Sequence, residues 1–383
     1  MSDIFAVDGN QLALLQNGTE YFPQLCADID AAQSYIYLES YIFAADKAGS
    51  RVSQSLQKAA LRGLIVCLLM DGFGSDDFPQ SWLDELQTAG VQVRIFRREI
   101  YRFKLRRHRL RRLHRKLVVL DGKVAFIGGI NIIDDLTGNG RAISPRFDFA
   151  VRIEGRLASE IHVVMRHMWM AVSWARGLHR ERYASVKADS QPNIALLLRD
   201  NLSHRRDIEH AYLMAISVAR SEVVIASAYF LPGHVFRRTL ILAARRGVRV
   251  VLLLQGKVEH RLLHYATHAL YLQLLEAGIE IYEYRAGFLH AKVAVVDGLW
   301  STVGSSNIDP FSLLLAREAN LVVTNAAFAT ALRDKLFAAI SSDARHIKLA
   351  RWNQFSWGAQ RVAQLSYALI RVMIGILGYG KHN

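Results

Sequence analysis

Short apolar runs alternate along this chain with stretches whose apolar positions fall at helical spacing, and the order of the two kinds of segment occurs twice. Leu64 to Met70 and Val248 to Leu254 are seven-residue runs that follow a glycine (Leu61-Arg62-Gly63, Arg245-Arg246-Gly247). Such runs are too short for helices and read as strands covered on both faces. The helical stretches Tyr21 to Ser34 and Asp207 to Arg220 each precede a strand, Tyr35 to Phe43 or Val223 to Leu231. Two helix-to-strand junctions also match, Ala89-Gly90-Val91-Gln92-Val93 with Ala277-Gly278-Ile279-Glu280-Ile281, as do Leu14-Leu15-Gln16-Asn17-Gly18 and Leu197-Leu198-Arg199-Asp200-Asn201. Alternating strands and helices predict two α/β lobes produced by duplication. The expected boundaries are residues 1–175 for the first lobe, a polar linker over 176–192, and 193–345 for the second.

Inside this repeat lies a second, chemical one. His114-Arg115-Lys116, four apolar residues and Asp121 recur as His290-Ala291-Lys292, four apolar residues and Asp297. After six further residues come Gly128-Gly129-Ile130-Asn131 and Gly304-Ser305-Ser306-Asn307. On a strand, positions two apart share a face, so His114 sides with Lys116 and His290 with Lys292. Asp121-Gly122 and Asp297-Gly298 signal two-residue hairpin turns, which gives both aspartates a turn role. Counting back from those turns, Leu120 faces Lys123, His114 faces Gly129 and His290 faces Ser305. A small residue there is expected to leave room for a phosphate, with the amides of Asn131 and Asn307 just beyond. Each half then carries one more acid on a strand, Asp148 and Glu318.

Two stretches break the repeat. The insertion at 97–113 leads straight into the first motif; from Arg97 to Lys116 it carries eleven Lys or Arg against Glu99, interleaved with aromatic and aliphatic residues. That mixture suits an anionic lipid surface better than a solvated loop. The tail, 346–383, turns strongly apolar from Val362 to Gly380, with Arg371 its one charge there. It is expected to lie at a membrane interface, ahead of core packing and of a true span.

The net charge of +14 calls for a polyanionic partner, nucleic acid or acidic membrane. Two cysteines, Cys26 and Cys67, exclude a disulfide framework, and the start of the chain does not read as a signal peptide. His264 and His268 stand one helical turn apart without an evident third ligand and read as helix surface rather than a metal site. Paired His and Lys without a metal motif point to phosphodiester chemistry. One imidazole attacks phosphorus, the other protonates the departing alkoxide, and the Lys and Asn side chains cradle the oxygens. Asp148 and Glu318 are the candidates to orient the imidazoles.

The doubled His-x-Lys-(x)4-Asp-(x)6-Gly-[Gly/Ser]-x-Asn pattern resembles the phospholipase D superfamily, and within it the bacterial cardiolipin synthases. The resemblance implies two similar α-β-α sandwich lobes related by a pseudo-twofold axis, with one shared active site. It makes His114, Lys116, Asp121, His290, Lys292 and Asp297 the catalytic set, with Asn131, Asn307, Gly129, Ser305, Asp148 and Glu318 binding phosphate or supporting. It further implies transfer of a phosphatidyl group through a phosphohistidine, without cofactor or metal, from phosphatidylglycerol to a second phospholipid. Phosphatidylethanolamine is a possible acceptor, and a hydrolase or nuclease of the same superfamily is the alternative activity. The expected setting is peripheral, on the cytoplasmic side of a bacterial inner membrane.

Overall fold

The computed structural model describes residues 3–97, 111–135, 137–138, 141–142, 145–173, 192–200, 204–258, 261–309, 312, 316–352 and 357–374. Most of the basic insertion, most of the linker and the end of the tail lie outside the described residues.

The elements run in the expected alternation. Strands β1 (Ile4–Val7) and β2 (Asn10–Gln16) lead into α1 (Asn17–Ala31), β3 (Tyr35–Ser40), α2 (Lys47–Leu61), β4 (Ile65–Asp71), α3 (Gln80–Thr88) and β5 (Gln92–Phe96). Then come β6 (Leu117–Leu120), β7 (Val124–Gly128), the small pair β8 (Thr137–Gly138) and β9 (Arg141–Ala142), β10 (Phe149–Glu154) and α4 (Arg156–Ser173). The second copy comprises β11 (Ile194–Arg199), α5 (Asp207–Val218), β12 (Glu222–Ser227), α6 (His234–Arg245), β13 (Arg249–Gln255), α7 (Arg261–Glu276) and β14 (Glu280–Tyr284). It continues with β15 (Lys292–Val296), β16 (Trp300–Gly304), β17 (Glu318–Thr324), α8 (Ala326–Asp343), β18 (Ala344–Ile347), α9 (Leu349–Trp352) and α10 (Trp357–Ile374).

Among the described residues, beside the β8-β9 pair, two eight-stranded sheets result, ordered β1-β2-β10-β7-β6-β3-β4-β5 and β11-β17-β16-β15-β12-β13-β14-β18. Seven positions correspond from sheet to sheet; β1 is added at one edge of the first and β18 at the opposite edge of the second. In each, three parallel strands joined by helices (β3, β4, β5; β12, β13, β14) adjoin the antiparallel strand that follows the His-x-Lys motif. The mixed sheet explains the uninterrupted apolar runs. On β4, Val66, Leu68 and Met70 point into the core beneath α1 and α2, while Cys67 and Leu69 join Phe96, Leu113, Met168 and Trp169 on the other face. Burial pushes the Cys67 thiol up to about 11, as befits an inert core cysteine.

The chain divides into two compact units. One is Met1–Arg205 with Val303–Ser305 and Leu315–Val322; the other is Arg206–Thr302 with Ser306–Leu314 and Val323–Asn383. Three segments of the second repeat therefore belong to the first unit, β11 with the residues up to Arg205, Val303–Ser305 and Leu315–Val322, an assignment that the order of motifs along the chain does not reveal.

The tail differs from a purely interfacial helix. α10 packs along α7, burying Ala363, Ser366 and Ile370, and the Tyr367 hydroxyl accepts a hydrogen bond from Arg237 of α6 at 3.2 Å. Its opposite side exposes Val362, Leu365, Leu369 and Val372. One face is core and the other is an uncovered apolar stripe, because the apolar positions surround more of the helix than one neighbour can cover. Among the described residues no helix is long and apolar enough to cross a membrane.

Candidate active site

In the first unit the motif begins just ahead of β6. Its lead-in residues are tied to the start of β17 through a bridge between Leu113 and Arg317 and through the His114 N–H, which donates to the Arg317 carbonyl at 2.9 Å. That pairing sets the neighbouring Glu318 against the imidazole: His114 Nδ1 lies 3.0 Å from Glu318 Oε2. Glu318 is fully buried and also accepts from Ser305 Oγ at 2.6 Å. With Nδ1–H donating to the carboxylate, the imidazole lone pair is on Nε2, the tautomer a nucleophile toward phosphorus needs. Lys116 is buried, donates to the His114 carbonyl at 2.7 Å and lies 5.3 Å from the centre of the Tyr41 ring, which itself contacts the His114 ring. His114 and Lys116 thus share Tyr41 as a wall. Burial first, and then the charge of Asp71, push the Tyr41 phenol up to about 12, so it stays neutral.

The small residues do something other than leave phosphate-sized gaps. The turns are tight as expected, with positive φ at Asp121 and Gly122 (53° and 65°) and at Asp297 and Gly298 (52° and 62°). The β6–β7 ladder, however, pairs Leu120 with Val124, so the count that set His114 against Gly129 is one residue out. Gly129 instead donates its N–H to the Phe149 carbonyl, and a Cβ there would stand 2.3 Å from an Asp148 carboxylate oxygen. Gly129 is glycine because the Asp148 side chain occupies the space. Ser305, expected beside His290, likewise turns its hydroxyl to Glu318.

Asp121 and Asp297 stand in these turns, and their carboxylates hold backbone. Asp121 accepts from the N–H groups of Gln33, Ser34 and Tyr35 at 2.8 to 2.9 Å. Asp297 accepts from those of Arg220, Ser221 and Glu222, also at 2.8 to 2.9 Å. Burial alone would raise both carboxyls, but these N–H groups outweigh it and lower them. Each aspartate clamps the end of its strand to the element beside it, a full strand length from its motif histidine.

In the second unit Lys292, again buried, donates to the His290 carbonyl. Asn307 is buried; its amide N–H reaches Ser312 Oγ at 3.4 Å, and its Oδ1 has no hydrogen-bond partner among the described residues. Asn131 of the first unit is also buried, with Oδ1 accepting from the Ile42 N–H at 3.2 Å, which turns its amide N–H groups the other way. Asp148 is buried and accepts from its neighbour's N–H, Phe149, at 2.8 Å.

Three features escaped the sequence reading. Arg115, the variable residue of the first motif, makes a buried two-point ion pair with Glu39, both bonds 2.9 Å. Matching the strands shows the substitution: Glu39 pairs with Leu117 on β6, whereas Ala226 takes that place against Val293 on β15, and Ala291 stands where Arg115 does. Setting the two halves in register would have exposed this Arg-Glu for Ala-Ala exchange. Asp71, fully buried, binds the N–H groups of Phe73, Gly74 and Leu113 and so fixes the entry to the motif. His264 and His268 are half-buried rather than surface residues. Their rings are 4.1 Å apart, and His268 Nε2 lies 3.2 Å from Glu283. Burial, then His268, push His264 down to about 4. Among the described residues no cluster of three His, Cys, Asp or Glu could hold a metal ion.

Comparison with known proteins gives the family. The model of a family described as "Cardiolipin synthase, PLD-like domain" matches residues 25–169 and 212–339. The chain is 37% identical to cardiolipin synthase B of Escherichia coli K12 over 376 residues, covering 97% of this chain and 90% of that one. It is 30% identical to cardiolipin synthase of Geobacillus kaustophilus over 355 residues, 92% of this chain and 70% of that one. The crystal structure of phosphatidylserine synthase from Haemophilus influenzae shares the fold, with a TM-score of 0.74, 16% identity and coverage of 98% of this chain and 96% of that one. The chain belongs to the cardiolipin synthase family of phospholipase D-like proteins.

Proposed function

We propose that this protein is a cardiolipin synthase in which the two motifs act together as one catalytic unit. The observation that carries the mechanism is the contact of His114 Nδ1 with Glu318, which presents Nε2 as the nucleophile. His114 Nε2 attacks the phosphorus of phosphatidylglycerol; the P–N bond forms, the P–O bond to the headgroup breaks, and protonated His290 gives its proton to the departing glycerol. Neutral His290 then takes the proton from the hydroxyl of a second phospholipid, whose oxygen displaces His114 and restores both histidines. Lys116, Lys292, Asn131 and Asn307 hold the non-bridging oxygens. Asp148 is the counterpart of Glu318, orienting His290.

The substrate is reached from a membrane surface. The exposed Val362, Leu365, Leu369 and Val372 of α10, with exposed Arg361 and Arg371 among them, suit the boundary between acyl chains and anionic headgroups. This supports peripheral attachment to the cytoplasmic side of a bacterial inner membrane. The test is incubation with phosphatidylglycerol vesicles: cardiolipin and free glycerol should appear in equal amounts, and neither with His114→Ala or His290→Ala. Cleavage of DNA without any lipid product would reverse the reading in favour of a nuclease.

A further inference from the structure

Beside His114 in the first unit, four arginines are brought together around too little negative charge. The ends of the basic insertion close on one another, Arg97 Nη1 donating to the Arg111 carbonyl at 3.2 Å and Arg112 Nη2 to the Arg97 carbonyl at 3.3 Å. The backbone N–H of Arg317 donates to the Arg112 carbonyl at 2.8 Å, which sets the backbone of a fourth arginine beside that of Arg112. Burial pushes Arg97 down to about 10, with Arg317, Arg112 and Arg111 next in effect and Asp71 opposing.

Nearby acids are committed elsewhere. Asp71 accepts three backbone N–H groups and comes only within 3.7 Å of Arg112 Nε. Glu39 is engaged at two points by Arg115, and Glu318 serves His114 and Ser305. Among the described residues Arg111 Nε and Arg112 Nε and Nη1 are buried donors with no hydrogen-bond partner. Buried, unpaired guanidinium donors are costly, and planar forks of this kind match phosphate oxygens.

We propose that Arg97, Arg111, Arg112 and Arg317 form a binding site for a second phosphate, the phosphodiester of the acceptor lipid. That the anion is the acceptor's phosphate rests on the synthase reading; that the site binds a phosphate does not. The chemistry sets the spacing. When the headgroup hydroxyl of an acceptor phosphatidylglycerol attacks phosphorus on His114, its own phosphate is one glycerol unit from the reacting one. Arg112 lies two residues before His114, and the Arg317 carbonyl binds the His114 N–H, so the cluster adjoins the nucleophile. Water has no such phosphate, so holding the acceptor here favours transfer over hydrolysis.

The full-length protein is titrated calorimetrically with glycerol 1,3-bisphosphate and with glycerol 1-phosphate. The bisphosphate should bind about tenfold tighter, one charge-assisted contact set being worth that factor, and Arg97→Gln or Arg317→Gln should erase the difference. Equal affinity for the two probes, or variants that keep the preference, overturns the site. On phosphatidylglycerol vesicles the ratio of cardiolipin to phosphatidic acid should fall about tenfold in either variant, with Arg97→Lys in between. Parallel loss of both products, as from misfolding, overturns the acceptor role. Selective bisphosphate binding by a wild type that makes neither lipid product supports the site and sinks the synthase reading instead.

Discussion

The two copies of the motif keep the same His, Lys and Asn and differ in what surrounds them. In the first, Arg115 and Glu39 form a buried ion pair behind the histidine; in the second, Ala291 and Ala226 fill those places with small side chains. The acids differ in step with the residue beside them. Glycine at 129 makes way for Asp148, whereas serine at 305 hydrogen-bonds the longer Glu318. The duplicated motif has thus kept its His, Lys and Asn and varied the residues around them, each change matched by its contact partner. One support also crosses between copies: Glu318, 204 residues away in sequence, contacts His114 Nδ1.

The sharpest way to break this comparison is to remove the orienting charge. Glu318→Gln should lower turnover about 10³-fold or more by spoiling the His114 tautomer, with little change in KM. Asp148→Asn is expected in the same range, since it mirrors Glu318, and a loss under about tenfold measured by steady-state kinetics would end the mirror. Next in size is the buried pair. Glu39→Ala leaves Arg115 buried without its partner and should destabilise by about 3–5 kcal/mol in denaturant unfolding, whereas Glu39→Ala with Arg115→Ala, which copies the second motif, should recover much of that. Full additivity of the two losses would contradict the pairing.

Smaller effects test the small residues and the pH response. Ser305→Ala removes the hydroxyl bonded to Glu318 and should slow turnover by about tenfold, the worth of one hydrogen bond to a charged group. Gly129→Ala drives a Cβ into Asp148 and should cost about 1–3 kcal/mol by thermal unfolding. Asp135 lies buried 3.5 Å from Arg146, and burial, opposed by Arg146, pushes its carboxyl up to about 7. A raised carboxyl means that the folded state holds its proton longer than the unfolded chain. Stability should therefore fall as pH rises from about 4 to about 7, by about 4 kcal/mol from this group, and Asp135→Asn should remove that part of the slope.

Much of the scaffold is legible in the sequence because sheets covered on both faces leave continuous apolar runs, and glycines such as Gly63 and Gly247 (both φ 92°) mark where helices end. The repeat then supplies the order of the strands. The site was legible as residue types, since His, Lys and Asn recur at fixed spacing. It was not legible as contacts. The pairing of His114 with Glu318 crosses between repeats, and no local pattern encodes it. The role of Gly129 depends on a ladder shifted by one residue, and a single shift exchanges which neighbour a position faces. Glu39 hid inside an apolar strand whose partner, Arg115, looked like the variable position of a motif. His264 and His268 looked like a helix surface because the acid that meets His268, Glu283, stands on a separate element, β14.

The central claim is that His114, held by Glu318, carries the phosphatidyl group. Rapid quenching of the enzyme with phosphatidylglycerol, followed by mass spectrometry of its peptides under alkaline conditions, tests it directly. The account predicts a phosphatidyl adduct on the His114 peptide in the wild type, absent from His114→Ala and lost as well in His290→Ala, which lacks the acid that protonates the departing glycerol. An adduct on His290, or cardiolipin formation by His114→Ala, would contradict it.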